Sequence, residues 1–294
     1  MTNDNPRLFL VDGSSYIFRA FFALPPLTNS AGLPTNAIYG FINMMLRFIK
    51  QHHPQYLAVV LDAGRETFRN ELFADYKGNR PEAPPDLIPQ FPYVRKALQA
   101  LNVSLLELQG YEADDLIATL CNTLSSKDYE LIVVSSDKDL MQLVTDGVKL
   151  LDSAKDRWIG AQEVKAKFGV EPEKIVDVMG LMGDAVDNIP GVKGIGEKTA
   201  IALIQQFGSL ENLFEHLDEL EKTKLRGVAR IRTALEVGKR AAFLSRNLAT
   251  ARTDVPIHVT IDQLVFRNPD ANRLRDLFHE LEFTNLLKLV DNNS

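Results

Sequence analysis

Glu130-Leu131-Ile132-Val133-Val134-Ser135-Ser136-Asp137-Lys138-Asp139 is the stretch that decides the fold. A short apolar, β-branched run stops at polar residues, and two carboxylates follow at once. Runs of this kind, bounded by turn formers, read as strands. The pattern recurs on both sides of it. Leu8–Val11 ends at Asp12, Tyr56–Leu61 ends at Asp62, and Val103–Leu108 is followed by Glu112, Asp114 and Asp115. Val148–Leu151 is a further run. Helical patterns lie between the strands, at about Ala37–Gln51, Ala113–Leu124 and Asp139–Leu143. Strands alternating with helices predict βαβ units, and so an α/β fold with a mostly parallel central sheet flanked by helices.

Beyond about Arg157 the strand signals fade. Helical patterns take over at Ala161–Phe168, Pro172–Met182, Thr199–Phe207, Leu210–His216 and Thr233–Leu244. Val255–Val259 and Gln263–Phe266 read as short extended pieces before a final helix at Asp270–Glu282. The expected organisation is an α/β domain over 1–180, with an insertion at about 63–100, and a helical region over 181–294. The closing Asp291-Asn292-Asn293-Ser294 reads as a tail or a severed linker.

The 294 residues, 45% of them apolar, supply material for a real core. The one cysteine, Cys121, lies in an apolar helical pattern, so no internal disulfide is expected and the reducing cytoplasm is the expected setting. No apolar run is long enough for a signal-peptide core or a membrane span, so no membrane partner is expected. A net charge of −6 argues at first against nucleic acid. Distribution says more than the total. Lys222, Lys224, Arg226, Arg230, Arg232, Lys239, Arg240, Arg246 and Arg252 face a single intervening acid, Glu236. Solvated helix faces explain that run as well as a nucleic-acid surface does.

The seven acids Asp12, Asp62, Glu112, Asp114, Asp115, Asp137 and Asp139 all fall at carboxyl ends of strands. In an open parallel sheet those ends share one edge, where ligands bind. Singly, each has a structural explanation: a turn at Asp12-Gly13-Ser14-Ser15, a helix-start acid at Asp114 or Asp115, an N-cap at Asp137. Four strand ends delivering carboxylates to one rim are hard to obtain from capping preferences alone. Crowded carboxylates raise one another's pKa and stay ionised together only beside cations. Oxygen ligands without His or Cys select Mg²⁺, Mn²⁺ or Ca²⁺. Asp184 and Asp187, spaced i, i+3 near a helix end, enlarge the set. Nine acids exceed what one Mg²⁺ uses, so two metal positions are inferred, the arrangement that clamps both oxygens of a phosphodiester displacement. If the helix is already regular there, Glu112 and Asp115 share a face and Asp114 points elsewhere; either the helix begins at about Ala113, or one of the three binds through water.

Ile189 to Ala200 joins two helical patterns through Gly191, Gly194 and Gly196, a helix-hairpin-helix form in which backbone and a helix N-terminus approach a phosphate. Such contacts position a duplex without reading its sequence. In the insertion, Arg65, Arg69, Tyr76, Lys77 and Arg80 alternate with Phe68 and Phe73, a composition suited to single-stranded nucleic acid. A solvated excursion is the plainer reading of that composition. The location, directly after Asp62, favours a charge-stabilising role at the acids. His52-His53 and Trp158 read as loop and core.

These motifs together resemble the 5′→3′ exonuclease, or flap endonuclease, domain of bacterial DNA polymerase I. The resemblance covers essentially the whole chain. It is carried by Val11-Asp12-Gly13-Ser14-Ser15, Phe18-Arg19-Ala20-Phe21-Phe22, Thr67-Phe68-Arg69, Tyr76-Lys77-Gly78-Asn79-Arg80-Pro81, Glu112-Ala113-Asp114-Asp115, Ser136-Asp137-Lys138-Asp139-Leu140, and Gly183-Asp184 through Thr199-Ala200. It implies a PIN-like sheet and a structure-specific 5′ nuclease that removes primers and displaced flaps in replication and repair. Asp12, Asp62, Glu112, Asp114 and Asp115 would serve one Mg²⁺, and Asp137, Asp139, Asp184 and Asp187 a second, with Mn²⁺ able to substitute. Tyr76, Lys77 and Arg80 would belong to a helical arch around the 5′ strand, with Lys77 and Arg80 on the scissile phosphate. Arg19, Phe68 and Arg69 would contact DNA. Gly191, Lys193, Gly194, Gly196 and Lys198 would grip the duplex, with K⁺ at the hairpin. The implied partners are DNA with a 5′ flap, nick or 5′ end, an RNA primer on DNA, and a polymerase domain in the same chain or in trans. A nucleoid-associated monomer is expected. The rival readings are a PIN-type Mg²⁺ ribonuclease, a helix-hairpin-helix glycosylase and a non-catalytic branched-DNA binding module.

Overall fold

The computed structural model describes residues 6–291 apart from 126, 127 and 224. Lys224 of the basic run and residues 292–294 of the expected tail lie outside the described residues.

Among the described residues six strands form one sheet in the order β3-β2-β1-β4-β5-β6. They are β1 Arg7–Asp12, β2 Tyr56–Val60, β3 Ser104–Leu106, β4 Glu130–Val134, β5 Val148–Asp152 and β6 Arg157–Ile159. The first five run parallel, and β6 pairs antiparallel with β5. All five strands expected from sequence are present. β6 was not expected: it is three residues long, and two of its side chains are exposed, which leaves little hydrophobic pattern to read.

The inner strands β1, β2 and β4 are near-continuous apolar runs because both sheet faces are covered there, as a parallel sheet requires. Leu8, Leu10, Ala58, Val60, Leu131 and Val133 face one core. Phe9, Val11, Leu57, Val59, Ile132 and Val134 face the other, following the two-residue pleat. The register sets Asp12 beside Val60 and Val11 beside Val134, so the strand ends reach one edge almost flush.

Among the described residues twelve helices surround the sheet: α1 Gly13–Ala23, α2 Asn36–His52, α3 Phe68–Leu72, α4 Phe91–Ala100, α5 Ala113–Thr123, α6 Ala161–Phe168, α7 Ile175–Met182, α8 Glu197–Phe207, α9 Leu210–Glu215, α10 Val228–Ala249, α11 Ala271–Glu280 and α12 Thr284–Asp291. The sequence at Asp12-Gly13 suggested a turn, but α1 starts there directly, with the Asp12 carboxylate accepting from Ser15 N. A Cβ at Gly13 would lie 2.5 Å from the side chains of Val59 and Leu61, so only glycine lets the strand turn into a helix over its neighbour.

Other expectations change in detail. Asp139–Leu143 is a 3-10 turn rather than an α-helix. Gln263–Phe266 is not a strand: Ile261–Leu264 is a 3-10 turn, leaving one isolated bridge between Tyr56 and Val265. The insertion at 63–100 contributes α3, a 3-10 turn at Ile88–Gln90 and α4; residues 74–79 are turns rather than an arch helix. The chain also doubles back. Leu274, Leu277 and Phe278 of α11 and Leu286 of α12 join the core of Phe9, Phe41 and Leu98, so the last helices complete the α/β layer rather than extend the hairpin region.

Candidate active site

A cavity of about 240 Å³ opens at the carboxyl edge of the sheet, and Asp12, Asp62, Glu112, Asp114, Asp137, Asp139 and Asp187 line it. Lys77 and Arg80 enter it from the inserted segment. Seven of the nine expected acids therefore gather in one place.

Serine hydroxyls and helix starts hold the acids. Asp12 accepts from Ser15 N at 3.1 Å, from Ser135 Oγ at 2.8 Å, and from Ser15 Oγ. Asp62 accepts from Ser14 Oγ at 2.7 Å and from Ala113 N at 2.8 Å, which ties the starts of α1 and α5 together. Asp137 accepts from Asp139 N at 2.9 Å. Glu112 receives the Tyr76 hydroxyl at 3.0 Å and the Lys77 ammonium at 2.6 Å. Asp187 pairs with Arg80 and stands 3.8 Å from Lys77. Sequence reasoning did not use these serines, although the pairs Ser14-Ser15 and Ser135-Ser136 after two strands were the available signal.

Two acids stand outside the cavity lining. Asp115 is fully buried and takes two hydrogen bonds from Arg69, at 2.7 and 2.8 Å, with two more from the backbone N–H groups of Glu112 and Arg252. Its acceptor sites are directed at protein. α5 begins at Ala113, the first of the two alternatives: Asp115 turns back to close a capping box with Glu112, and Asp114 faces the cavity. Asp184 accepts from Lys138 Nζ at 2.6 Å and from Val186 N at 2.7 Å. Burial works against its charge, but Lys138 and the N–H groups of Val186 and Asp187 together outweigh it and hold the carboxyl below its ordinary value. The spacing of Asp184 and Asp187 is that of a turn, not a helix.

Electrostatics favours cations here. Burial, then the charges of Asp137, Asp12 and Glu112, push the Asp114 carboxyl well above its ordinary range. Burial is also the main cause raising Asp12. Burial and then Asp137 push Asp139 up to about 7, and its Oδ1 is buried without a hydrogen-bond partner among the described residues. Lys77 is held above its ordinary value because Glu112 and Asp187 outweigh its desolvation. Among the described residues no three carboxylates converge tightly enough to hold an ion in this form; Lys77 and Arg80 stand among them instead. The donor set nevertheless fits a hard divalent cation: it is all oxygen, it is crowded, and it includes an orphaned carboxylate oxygen.

Several residues expected to contact nucleic acid do other work. Arg69 is 2% exposed and is spent on Asp115 and on the carbonyls of Leu248 and Thr250. Tyr76 is 5% exposed, with its hydroxyl on Glu112 and its ring against Ile189 and Leu248. Phe68 has the guanidinium carbons of Arg69 and Arg252 4.6 and 5.2 Å from its ring centre. Gly191 is buried and gives its N–H to Ser245 Oγ at 2.8 Å. A Cβ there would lie 2.5 Å from Gly183 N, so its glycine is needed for packing. Lys193, Gly194, Gly196 and Lys198 are exposed, while Val192 and Ile195 anchor the turn in the core. Arg19 stacks on Tyr16 in a neighbouring groove with Arg47.

Comparison with known proteins agrees with this architecture. A family model described as 5′-3′ exonuclease, N-terminal resolvase-like domain matches residues 7–169. A second, described as 5′-3′ exonuclease, C-terminal SAM fold, matches residues 170–272. A 5′-3′ exonuclease of Aquifex aeolicus is 43% identical over 97% of this chain and 95% of its own length. DNA polymerase I of Bacillus subtilis is 42% identical over 99% of this chain but only 33% of its own length. The chain thus spans about a third of that polymerase. Among solved structures, T5 5′-exonuclease with divalent zinc bound superposes with a TM-score of 0.66 at 21% identity, covering 97% of this chain and 99% of that one. The catalytic core of Rad2 with a DNA substrate superposes with a TM-score of 0.63 at 19% identity, covering 94% and 88%. At these identities the two structures show a shared fold.

Proposed function

The chain belongs to the 5′-3′ exonuclease family, and from that premise we propose that its acid pocket hydrolyses phosphodiester bonds of DNA at a 5′ flap, nick or free 5′ end, including RNA primers on DNA. The observation that carries the reading is the gathering of seven carboxylates, from segments far apart in sequence, into one cavity.

Asp12, Asp62, Glu112 and Asp114 would hold one Mg²⁺ and Asp137, Asp139 and Asp187 another. Asp115 and Asp184 would orient their neighbours rather than bind directly. When bound, such ions activate water and neutralise charge on the phosphate oxygens. The chain's own cations complete the site. Lys77 and Arg80 reach the cavity from the inserted turn and would hold the negative charge of the scissile phosphate. Lys77 has φ +53, a left-handed backbone kept in place by its N–H on Asp187 O at 3.0 Å. Asn79 on Ala185 O and Asn188 on Asp75 O pin the same turn to the 184–188 loop.

The exposed backbone at Gly194 and Gly196, with Lys193 and Lys198, would take duplex phosphates, and a K⁺ would serve there. Arg19 would meet phosphate beside the cavity. Residues 1–180 would then carry most of the chemistry, joined by Asp187, with the rest of 181–294 up to the end of α10 gripping the duplex. A polymerase acting with this chain, in cis or in trans, fits the relatives' length. Cleavage of a labelled 5′ flap with Mg²⁺ and with EDTA tests the reading. Cutting near the junction only with Mg²⁺ is expected; binding without cutting under both conditions would leave a branched-DNA module.

A further inference from the structure

We propose that Gln142 is a positioning residue that ties the Asp139 half of the acid pocket to the end of α10, and through that helix to the hairpin turn. The inference rests on the reading that Asp137 and Asp139 hold an ion.

Gln142 lies on the 3-10 turn that begins at Asp139, and it lines the cavity. Its Nε2 donates to the carbonyl oxygens of Asp139 at 2.8 Å and Ala249 at 3.1 Å. Its Oε1 accepts from Ala251 N at 3.0 Å. Two carbonyls on one side and one N–H on the other fix the amide's orientation and use both of its donors. The Asp139 backbone, whose side chain sends an unpaired oxygen into buried space, is thereby fastened to residues more than a hundred positions later.

The other end of the link is equally direct. Ser245, fully buried one turn before Ala249, accepts from Gly191 N. A Cβ at Gly238 would lie 2.6 Å from Val192 Cγ1, so the hairpin turn sits on the surface of α10 itself. A continuous path runs from Gly191 to Ser245, along one helical turn to Ala249, through Gln142 to Asp139. Arg69, on Leu248 O and Thr250 O, makes the parallel tie to Asp115 and Glu112. A duplex seated on the hairpin therefore bears on the backbone that places Asp139. By reciprocity, duplex and ion should each tighten the other.

The test is a Mn²⁺ titration of the full chain followed by the resonance of free Mn²⁺, with and without a circular dumbbell duplex that has no 5′ end to cut. In the natural protein two ions should bind, and the dumbbell should tighten the weaker one several-fold. Gln142→Met keeps the volume and removes all three hydrogen bonds. It should weaken that ion by about 10- to 100-fold, the usual cost of losing an outer partner of a ligand, and abolish the dumbbell's effect. The tighter ion should bind as before, which also reports that the fold is intact. Should Gln142→Met lose both ions by unfolding, Gln142→Asn, which keeps a neutral amide on a shorter stem, decides by the same readings. Unchanged affinity for both ions, or a dumbbell effect that survives in a folded variant, overturns the inference. Failure of the natural protein to bind Mn²⁺ overturns the metal reading instead.

Discussion

The guanidinium of Arg69 lies on the carboxylate of Asp115 through two hydrogen bonds, with both side chains removed from solvent and 46 residues apart in sequence. Arg69 also binds two carbonyls at the end of α10 and stands 3.3 Å from Glu112. It joins the inserted segment, the start of α5 and the helical region at one point beneath the acid pocket.

Removing one partner of such a pair leaves a buried charge alone. Arg69→Ala should destabilise the chain by about 3–5 kcal/mol, with little dependence on salt. Urea unfolding at low and high ionic strength measures it. A cost below about 1 kcal/mol would make the pair no better than a surface ion pair.

Lys77 is expected to act on the phosphate in the transition state rather than to hold duplex. Lys77→Ala should lower single-turnover cleavage by about 10²- to 10³-fold, with flap affinity changed only a few-fold. A loss confined to affinity would return the segment to a binding role.

Lys193 is exposed on the hairpin turn. Lys193→Ala should weaken duplex binding about equally across sequences and lower the slope of log affinity against log salt by about one. Binding isotherms at four salt concentrations, with two unrelated sequences, give that slope. An unchanged slope removes Lys193 from the interface.

In the metal-free protein the Asp139 carboxyl is pushed up to about 7 from an ordinary 3.8. The folded chain therefore binds more protons there than the unfolded chain. The stability this confers is full below the unfolded value and is lost as pH rises through about 7. In EDTA the melting temperature should fall by about 2–4 °C between pH 5.5 and pH 8. With Mg²⁺ the trend should reverse, since the ion needs the ionised carboxylate. Asp139→Asn should flatten the metal-free curve; a slope unchanged by that substitution would assign the titration to another group.

The sheet was legible because β1, β2 and β4 are buried on both faces and leave uninterrupted apolar runs, each with an acid soon after. Arg157-Trp158-Ile159 escaped because an exposed edge strand carries no such run. The pocket's membership was legible as a set but not residue by residue. Whether Asp114 or Asp115 faces the cavity depends on α5 starting at Ala113, which one residue of uncertainty at a helix boundary conceals. Arg69 and Tyr76 were read as exposed because alternating basic and aromatic residues look alike on a surface and in a polar core. What buries Arg69 is the Leu248 carbonyl, 179 residues away. Gln142 and Ser245 left no local trace, since each is spent on backbone atoms contributed by distant segments.

The metal reading requires carboxylates from separate strand ends to work together by holding divalent ions. Single-turnover cleavage of a 5′ flap by Asp114→Asn, with flap binding measured beside it, tests this most directly. At saturating Mg²⁺ the variant should cut at least about 10³-fold more slowly than the natural protein, several kcal/mol of lost transition-state stabilisation, and bind the flap within a few-fold. Cutting at the natural rate would contradict the account.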